Sequence, residues 1–202
     1  MSFRIGRRRF VMSFPMVCLM TAAVLLDTTQ SVILCFTAAL MHELGHLAAL
    51  RYYGSVPTEI RLTLFDVAIT DTDKHIRSTK AQLIIVLAGV TVNFVSAAVC
   101  LLLYRLTDQE LLWLFFTAHL TLGLFNSLPI ESLDGGEALM LLLEHRFSPR
   151  TAQCLLTVLS LLLLLPLACA GFWLLLLCPC NFSLLLTSLY LLTALKRHGS
   201  SR

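Results

Sequence analysis

The chain has 202 residues, 57% of them apolar and only 13% charged, about half the charge density of an ordinary soluble domain. A water-soluble monomer is excluded: the apolar residues fall in runs near the roughly 20 that a helix needs to cross a bilayer. The net charge of +3 then bears on membrane orientation and gives no reason to expect nucleic acid as a partner.

Six apolar stretches predict spanning helices: Phe10 to Leu26, Ser31 to Leu50, Gln82 to Tyr104, Leu111 to Leu128, Leu155 to Leu177, and Asn181 to Leu195. The expected fold class is an all-α polytopic membrane protein of about six transmembrane helices. Lys and Arg in short loops stay on the cytoplasmic side. With both ends inside, every Lys and Arg except Arg105 falls on the inner face. Both termini are therefore expected in the cytoplasm, in a multi-pass protein of the cell membrane. The first stretch also fits a cleaved signal peptide, given its basic start and Thr21-Ala22-Ala23. The second runs from outside to inside in either case.

The long polar segment from Arg51 to Lys80 separates the second and third stretches. Within it Ile60, Leu62 and Leu64 alternate with Glu59, Arg61 and Thr63, and Val67 and Ile69 alternate with Asp66 and Ala68. This is a strand period and predicts a short cytoplasmic-side β-hairpin or strand segment on the membrane face. Of the seven cysteines, Cys18, Cys35, Cys100, Cys154 and Cys169 lie in apolar runs, where a thiol behaves as a small hydrophobe. The Cys178-Pro179-Cys180 pair sits at an interface and is expected to be inert. No repeat or flexible linker divides the chain, so residues 1–202 are expected to form one domain with no additional soluble domain.

The second stretch contains His42-Glu43-Leu44-Gly45-His46. Residues four apart share a helix face, so the two imidazoles converge, and Glu43, one step round, reaches a water held there. Ionisable groups in a lipid-crossing helix are costly unless they face the interior and find partners, which marks them as functional candidates. Catalytic zinc commonly has three protein ligands and an open position. The fourth stretch ends in Asn126-Ser127-Leu128-Pro129-Ile130-Glu131-Ser132-Leu133-Asp134-Gly135-Gly136. Pro129 breaks the helix, the paired glycines permit close backbone approaches, and Asp134 is the natural third ligand. One Zn2+ per chain is the expected cofactor, held by His42, His46 and Asp134.

These residues resemble the site-2 protease family of intramembrane zinc metalloproteases. The resemblance rests on the segment 42–46, on 126–136 with its Asn-x-x-Pro and Leu-Asp-Gly, and on Gly89-x-x-x-Asn93 preceded by Leu87-Ala88, so its core motifs lie between residues 41 and 136. The compact layout is most similar to the group containing stage IV sporulation protein FB, which implies a bacterial source and a pro-sigma factor or regulator as substrate. Two positions depart from the family pattern: Val90 follows Gly89 where proline is common, and Asp66 follows Phe65 where Gly-Gly is common. No counterpart of the CBS domain of part of that group is expected.

The implied activity is zinc-dependent hydrolysis of a peptide bond in a membrane-associated or membrane-spanning protein near the cytoplasmic face. Zinc acidifies a water and polarises the scissile carbonyl, and Glu43 acts as general base and then acid. Asn126 is either a donor to the developing oxyanion and aligner of substrate, or a helix-end cap. Gly89 and Asn93 serve either the active site or close helix packing. The strand segment could pair with an extended substrate. His119 is expected to be a helix-facing hydrogen bonder, and Glu131 and Glu137 to be solvated. The expected partners are the protein substrate, the lipid bilayer and a regulatory membrane protein, with oligomeric state left open. A metal transporter and a catalytically inactive binding protein using the same ligands are the competing readings.

Overall fold

The computed structural model describes residues 2–5, 8–12, 21–25, 27, 29–55, 59–62, 67–70, 77–177 and 183–200. The chain divides into two compact units, Met1–Phe125 and Asn126–Arg202.

In the first unit, strands β1 (Ser2–Ile5), β2 (Arg8–Met12), β3 (Glu59–Leu62) and β4 (Val67–Thr70) form one sheet in that order. β3 and β4 fall in the alternating segment and pair antiparallel, Glu59 opposite Thr70 and Leu62 opposite Val67. β2 joins β3 in parallel, Phe10 opposite Ile60. This corrects the start of the first expected span, since Phe10 to Met12 are extended rather than helical. Aromatic and β-branched residues such as Phe10 and Val11 fit a strand as well as a helix, and the partner strand that decides lies some fifty residues on. Residues 21–25 of the same stretch are helical.

Helices α1 (Ser31–Tyr52), α2 (Thr79–Thr107) and α3 (Glu110–Asn126) complete this unit, save that Asn126 begins the second. α1 begins after Gln30 in a left-handed conformation (φ 61°) without a side-chain cap of its own. Asp27 takes over that duty: its carboxylate accepts from the Val32 amide at 2.7 Å, and from the Thr29 amide at 2.9 Å and hydroxyl at 2.7 Å. Ser78 caps α2, its hydroxyl accepting from the Ala81 amide at 3.3 Å. α1 and α2 touch nearly backbone to backbone. A Cβ at Gly45 would lie 3.0 Å from the Ala88 carbonyl oxygen and 3.2 Å from the Gly89 Cα. Small residues at a crossing are how helices approach closely in lipid, where leucine gains nothing by leaving the acyl chains. Correspondingly Ala38, Ala81 and Ala97 are buried while Leu44, Leu102 and Leu106 face outward.

In the second unit, residues 127–133 connect to α4 (Asp134–Glu144), α5 (Pro149–Leu177) and α6 (Ser183–Ser200). α5 runs through Pro166 and buries Ala152, Leu156, Ser160, Leu164 and Gly171. At Gly171 a Cβ would come within 2.7 Å of the Leu185 amide nitrogen, so α5 and α6 also meet at their backbones.

Among the described residues, α1, α2 and α5 are long and apolar enough to cross a membrane. α3, at 17 residues, and the apolar stretch Leu184–Leu195 of α6 are shorter. Cys18 and the Cys178–Cys180 pair lie outside the described residues; Cys35, Cys100, Cys154 and Cys169 are free thiols.

Candidate active site

α1 presents His42 and His46 one turn apart on the face that meets α2. Their Nε2 atoms are 3.1 Å apart and their rings stand nearly perpendicular, at 84°. His42 is buried. The two rings fit this crossing because α2 has no side chain at Gly89. A Cβ there would collide with the His46 Nε2 and come within 2.8 Å of Cε1 of His42. Gly89 therefore serves helix packing and the site at once, both rings occupying the space that a Cβ there would take.

Each imidazole is oriented from its other nitrogen. His46 donates its Nδ1–H to the Ile85 carbonyl at 2.8 Å, which turns its Nε2 toward His42. His42 accepts at Nδ1 from the Asn93 amide at 2.9 Å. Asn93 is fully buried, and its carbonyl oxygen accepts from the Nδ1–H of fully buried His119 on α3 at 3.0 Å. Gly123 admits this contact: a Cβ there would lie 3.2 Å from the Asn93 Cβ. His119 is thus the helix-facing hydrogen bonder expected of it. Asn93 was expected to serve either the active site or close helix packing; its link to His119 on α3 is what the sequence did not show.

This donor set fits zinc. Zinc binds imidazole nitrogens at about 2.0–2.1 Å, and two nitrogens 3.1 Å apart can share one ion at that distance. The outward nitrogen of His46 is held by a backbone carbonyl, the arrangement that orients histidine ligands in metal sites, and that of His42 lies against the side-chain amide of Asn93. Glu43, the next residue along α1, is partly buried.

The second unit places Asn126 and Asp134 by breaking the chain. α3 ends at Asn126, three residues before Pro129, and a tight connection follows, with Ile130 N–H donating to Leu128 and Leu133 N–H donating to Ile130, each at 2.8 Å. Asp134 is the first residue of α4, where a carboxylate is favoured by the helix dipole. Gly135 and Gly136 are required by the connection: a Cβ at Gly135 would strike the Ser127 carbonyl, and one at Gly136 the Ile130 carbonyl. Glu131, expected to be solvated, is instead held in place. Its amide donates to the Ser160 hydroxyl at 3.0 Å, its Oε1 accepts from Gln153 at 2.6 Å, and its Oε2 is buried. The partners lie on α5, 22 and 29 residues away, beyond what local sequence could reveal.

No family model matches the chain. It is 30% identical over 121 residues to the zinc metalloprotease MJ0392 of Methanocaldococcus jannaschii, a stretch covering 57% of this chain and 34% of that protein. The chain thus spans about a third of the length of the curated relative it matches. The solved structure of a site-2 protease from the same organism superposes with a TM-score of 0.69 at 21% identity, covering 98% of this chain and 94% of that one. The chain shares that protein's fold.

Proposed function

We propose that this protein is an intramembrane zinc metalloendopeptidase of the site-2 type. The observation that carries the reading is the His42–His46 pair, its nitrogens 3.1 Å apart over the notch at Gly89 in an apolar helix crossing. The similarity to a zinc metalloprotease over more than half the chain supports it.

In this reading His42, His46 and Asp134 are the ligands of one zinc ion per chain. Zinc when bound supplies a Lewis acid that polarises a peptide carbonyl and makes a water acidic near neutral pH. Glu43 takes the proton of the attacking water and returns it to the departing amine. Asn126 donates its amide to the carbonyl oxygen as negative charge develops there. Among the described residues β4 ends the order of the sheet, and the strand segment is where an extended substrate strand would add. Prolines along Val67–Thr70 that leave cleavage unchanged would remove that role. The motifs fall in both units, so we treat residues 1–202 as one catalytic domain. The substrate is a membrane-associated or membrane-spanning protein cut near the cytoplasmic face, in a multi-pass protein with both termini cytoplasmic. The sporulation-group resemblance makes a pro-sigma factor the first substrate to try, with a regulatory membrane protein as a further partner.

The test is co-expression with candidate membrane substrates, comparing the protein with Glu43→Gln. Cleavage falls at least about 100-fold while zinc is retained; equal processing by both forms ends the reading. Metal analysis gives about one zinc per chain in the parent, reduced in His46→Ala and in Asp134→Ala. Full zinc in both variants refutes the ligand assignment.

A further inference from the structure

Glu131 stands in the connection between Asn126 and Asp134, and α5 grips it twice. Its backbone amide donates to the Ser160 hydroxyl at 3.0 Å, and its Oε1 accepts from the Gln153 side-chain amide at 2.6 Å. Gln153 and Ser160 are seven residues apart, which puts them on one face of a helix about two turns from each other. Leu156 and Leu164, one turn to either side of Ser160, are buried as well. All of these residues belong to the second unit.

Stability alone accounts poorly for this grip. The second carboxyl oxygen, Oε2, is buried with no hydrogen-bond partner among the described residues, a costly state in an apolar protein. An apolar pair at 131 and 153 would pack the connection against α5 without that cost. What the polar pair adds is direction. With the main chain held at Ser160 and the end of the side chain held at Gln153, the segment cannot pivot about either contact.

The backbone carries that constraint to Asp134, three residues on. Leu133 N–H donates to the Ile130 carbonyl at 2.8 Å, Glu137 N–H donates to the Leu133 carbonyl at 3.0 Å, and Ile130 is buried. The first turn of α4 rests on the same segment: a Cβ at Gly136 would lie 2.8 Å from the Glu131 nitrogen, the atom that Ser160 holds. A shift of Glu131 along α5 therefore reaches Asp134.

We propose that Glu131, held by Gln153, is a positioning residue that sets the place of the Asp134 carboxylate, so that α5, which supplies no ligand, governs affinity for the metal. The inference rests on the zinc reading above and deepens it, giving the third ligand a support as specific as the one Ile85 gives His46.

The experiment uses the full chain in detergent with zinc chloride as the only added ligand. It reads zinc affinity by chelator competition beside the unfolding midpoint of the zinc-free protein. The double variant Glu131→Met, Gln153→Met removes both polar partners together, so the midpoint stays near that of the parent, while affinity falls about tenfold. Glu131→Gln keeps an acceptor for Gln153 and holds affinity within about twofold of the parent. Parental affinity in the folded double variant overturns the proposal, and Gln153→Met alone carries the same comparison if the double variant does not fold. Placed on Asp134→Ala, the same substitutions cause no further loss; a loss as large as in the parent shows that the effect bypasses Asp134, and overturns the proposal too. Asp134→Ala by itself separates the inference from its premise. If it keeps full affinity, the ligand reading has failed; if it loses affinity and the double variant does not, the grip on Glu131 alone is wrong.

Discussion

The α1–α2 crossing and the 126–136 connection both bring polar chemistry into apolar surroundings, and they do so by opposite means. At the crossing the helices stay intact and side chains are deleted. Gly45 and Gly89 let two backbones approach until two imidazoles fit into the space, and the Nδ1 of each ring is aimed by a partner on α2. At the connection the helix is broken, and glycine is needed because carbonyls freed from the ladder occupy the space a Cβ would take. Broken backbone is tolerated in membrane proteins where protein or a polar cavity surrounds it, and here the turn satisfies itself and borrows the Ser160 hydroxyl. The difference teaches what limits each region: geometry of side chains in the first, satisfaction of backbone groups in the second.

Glycine substitutions sharpen that contrast most. Gly136→Ala places a methyl on the Ile130 carbonyl, an obstacle that cannot rotate away, and costs about 3 kcal/mol of stability. An unchanged unfolding midpoint in detergent would contradict this. Gly89→Ala meets side-chain rings instead. The rings can swing aside, so the fold survives while zinc affinity falls about 100-fold, as for a displaced ligand set. Chelator competition together with an unfolding curve distinguishes loss of metal from loss of fold. Ser160→Ala leaves the Glu131 amide without its acceptor and lowers stability by about 1–2 kcal/mol. A wild-type melting profile would show the hydroxyl to be dispensable.

The smallest effect belongs to Asp27, outside both regions. Hydrogen bonds, chiefly from the Thr29 hydroxyl and then from the Val32 and Thr29 amides, hold its carboxyl below the ordinary value of 3.8. A lowered folded pKa means that folding favours the carboxylate. Its contribution is complete above the ordinary value and is lost as pH falls through the folded one. Asp27→Asn therefore removes part of the acid limb of the stability profile and leaves its slope near neutrality unchanged, which unfolding measured across acidic pH would reveal.

Long apolar runs made α1, α2 and α5 legible to within a few residues at most ends, because helix length and composition are local properties. The pairing of His42 with His46 was equally legible, since a spacing of four on a helix fixes a shared face. What escaped was non-local. β2 owes its conformation to a parallel partner some fifty residues away, and Glu131 owes its place to Gln153 and Ser160 on another helix. α4, only 11 residues long, fell below the length at which apolar content announces a span, although Asp134 and Glu137 mark its first turn. Asn93 stood out as part of Gly89-x-x-x-Asn93, but which ring it serves depends on the rotation of α1 against α2, and no single helix encodes that.

Ile85, Gly89 and Asn93 recur at intervals of four along α2, and the first offers a carbonyl to His46, the second a hollow for both rings and the third an amide to His42. This nine-residue stretch is a ruler with three marks. Inserting or deleting one residue between the marks rotates everything beyond by about 100°, so at least one mark leaves the seam at once. Lipid-facing positions between the marks should accept almost any apolar residue, whereas the count of residues between them should accept no change at all.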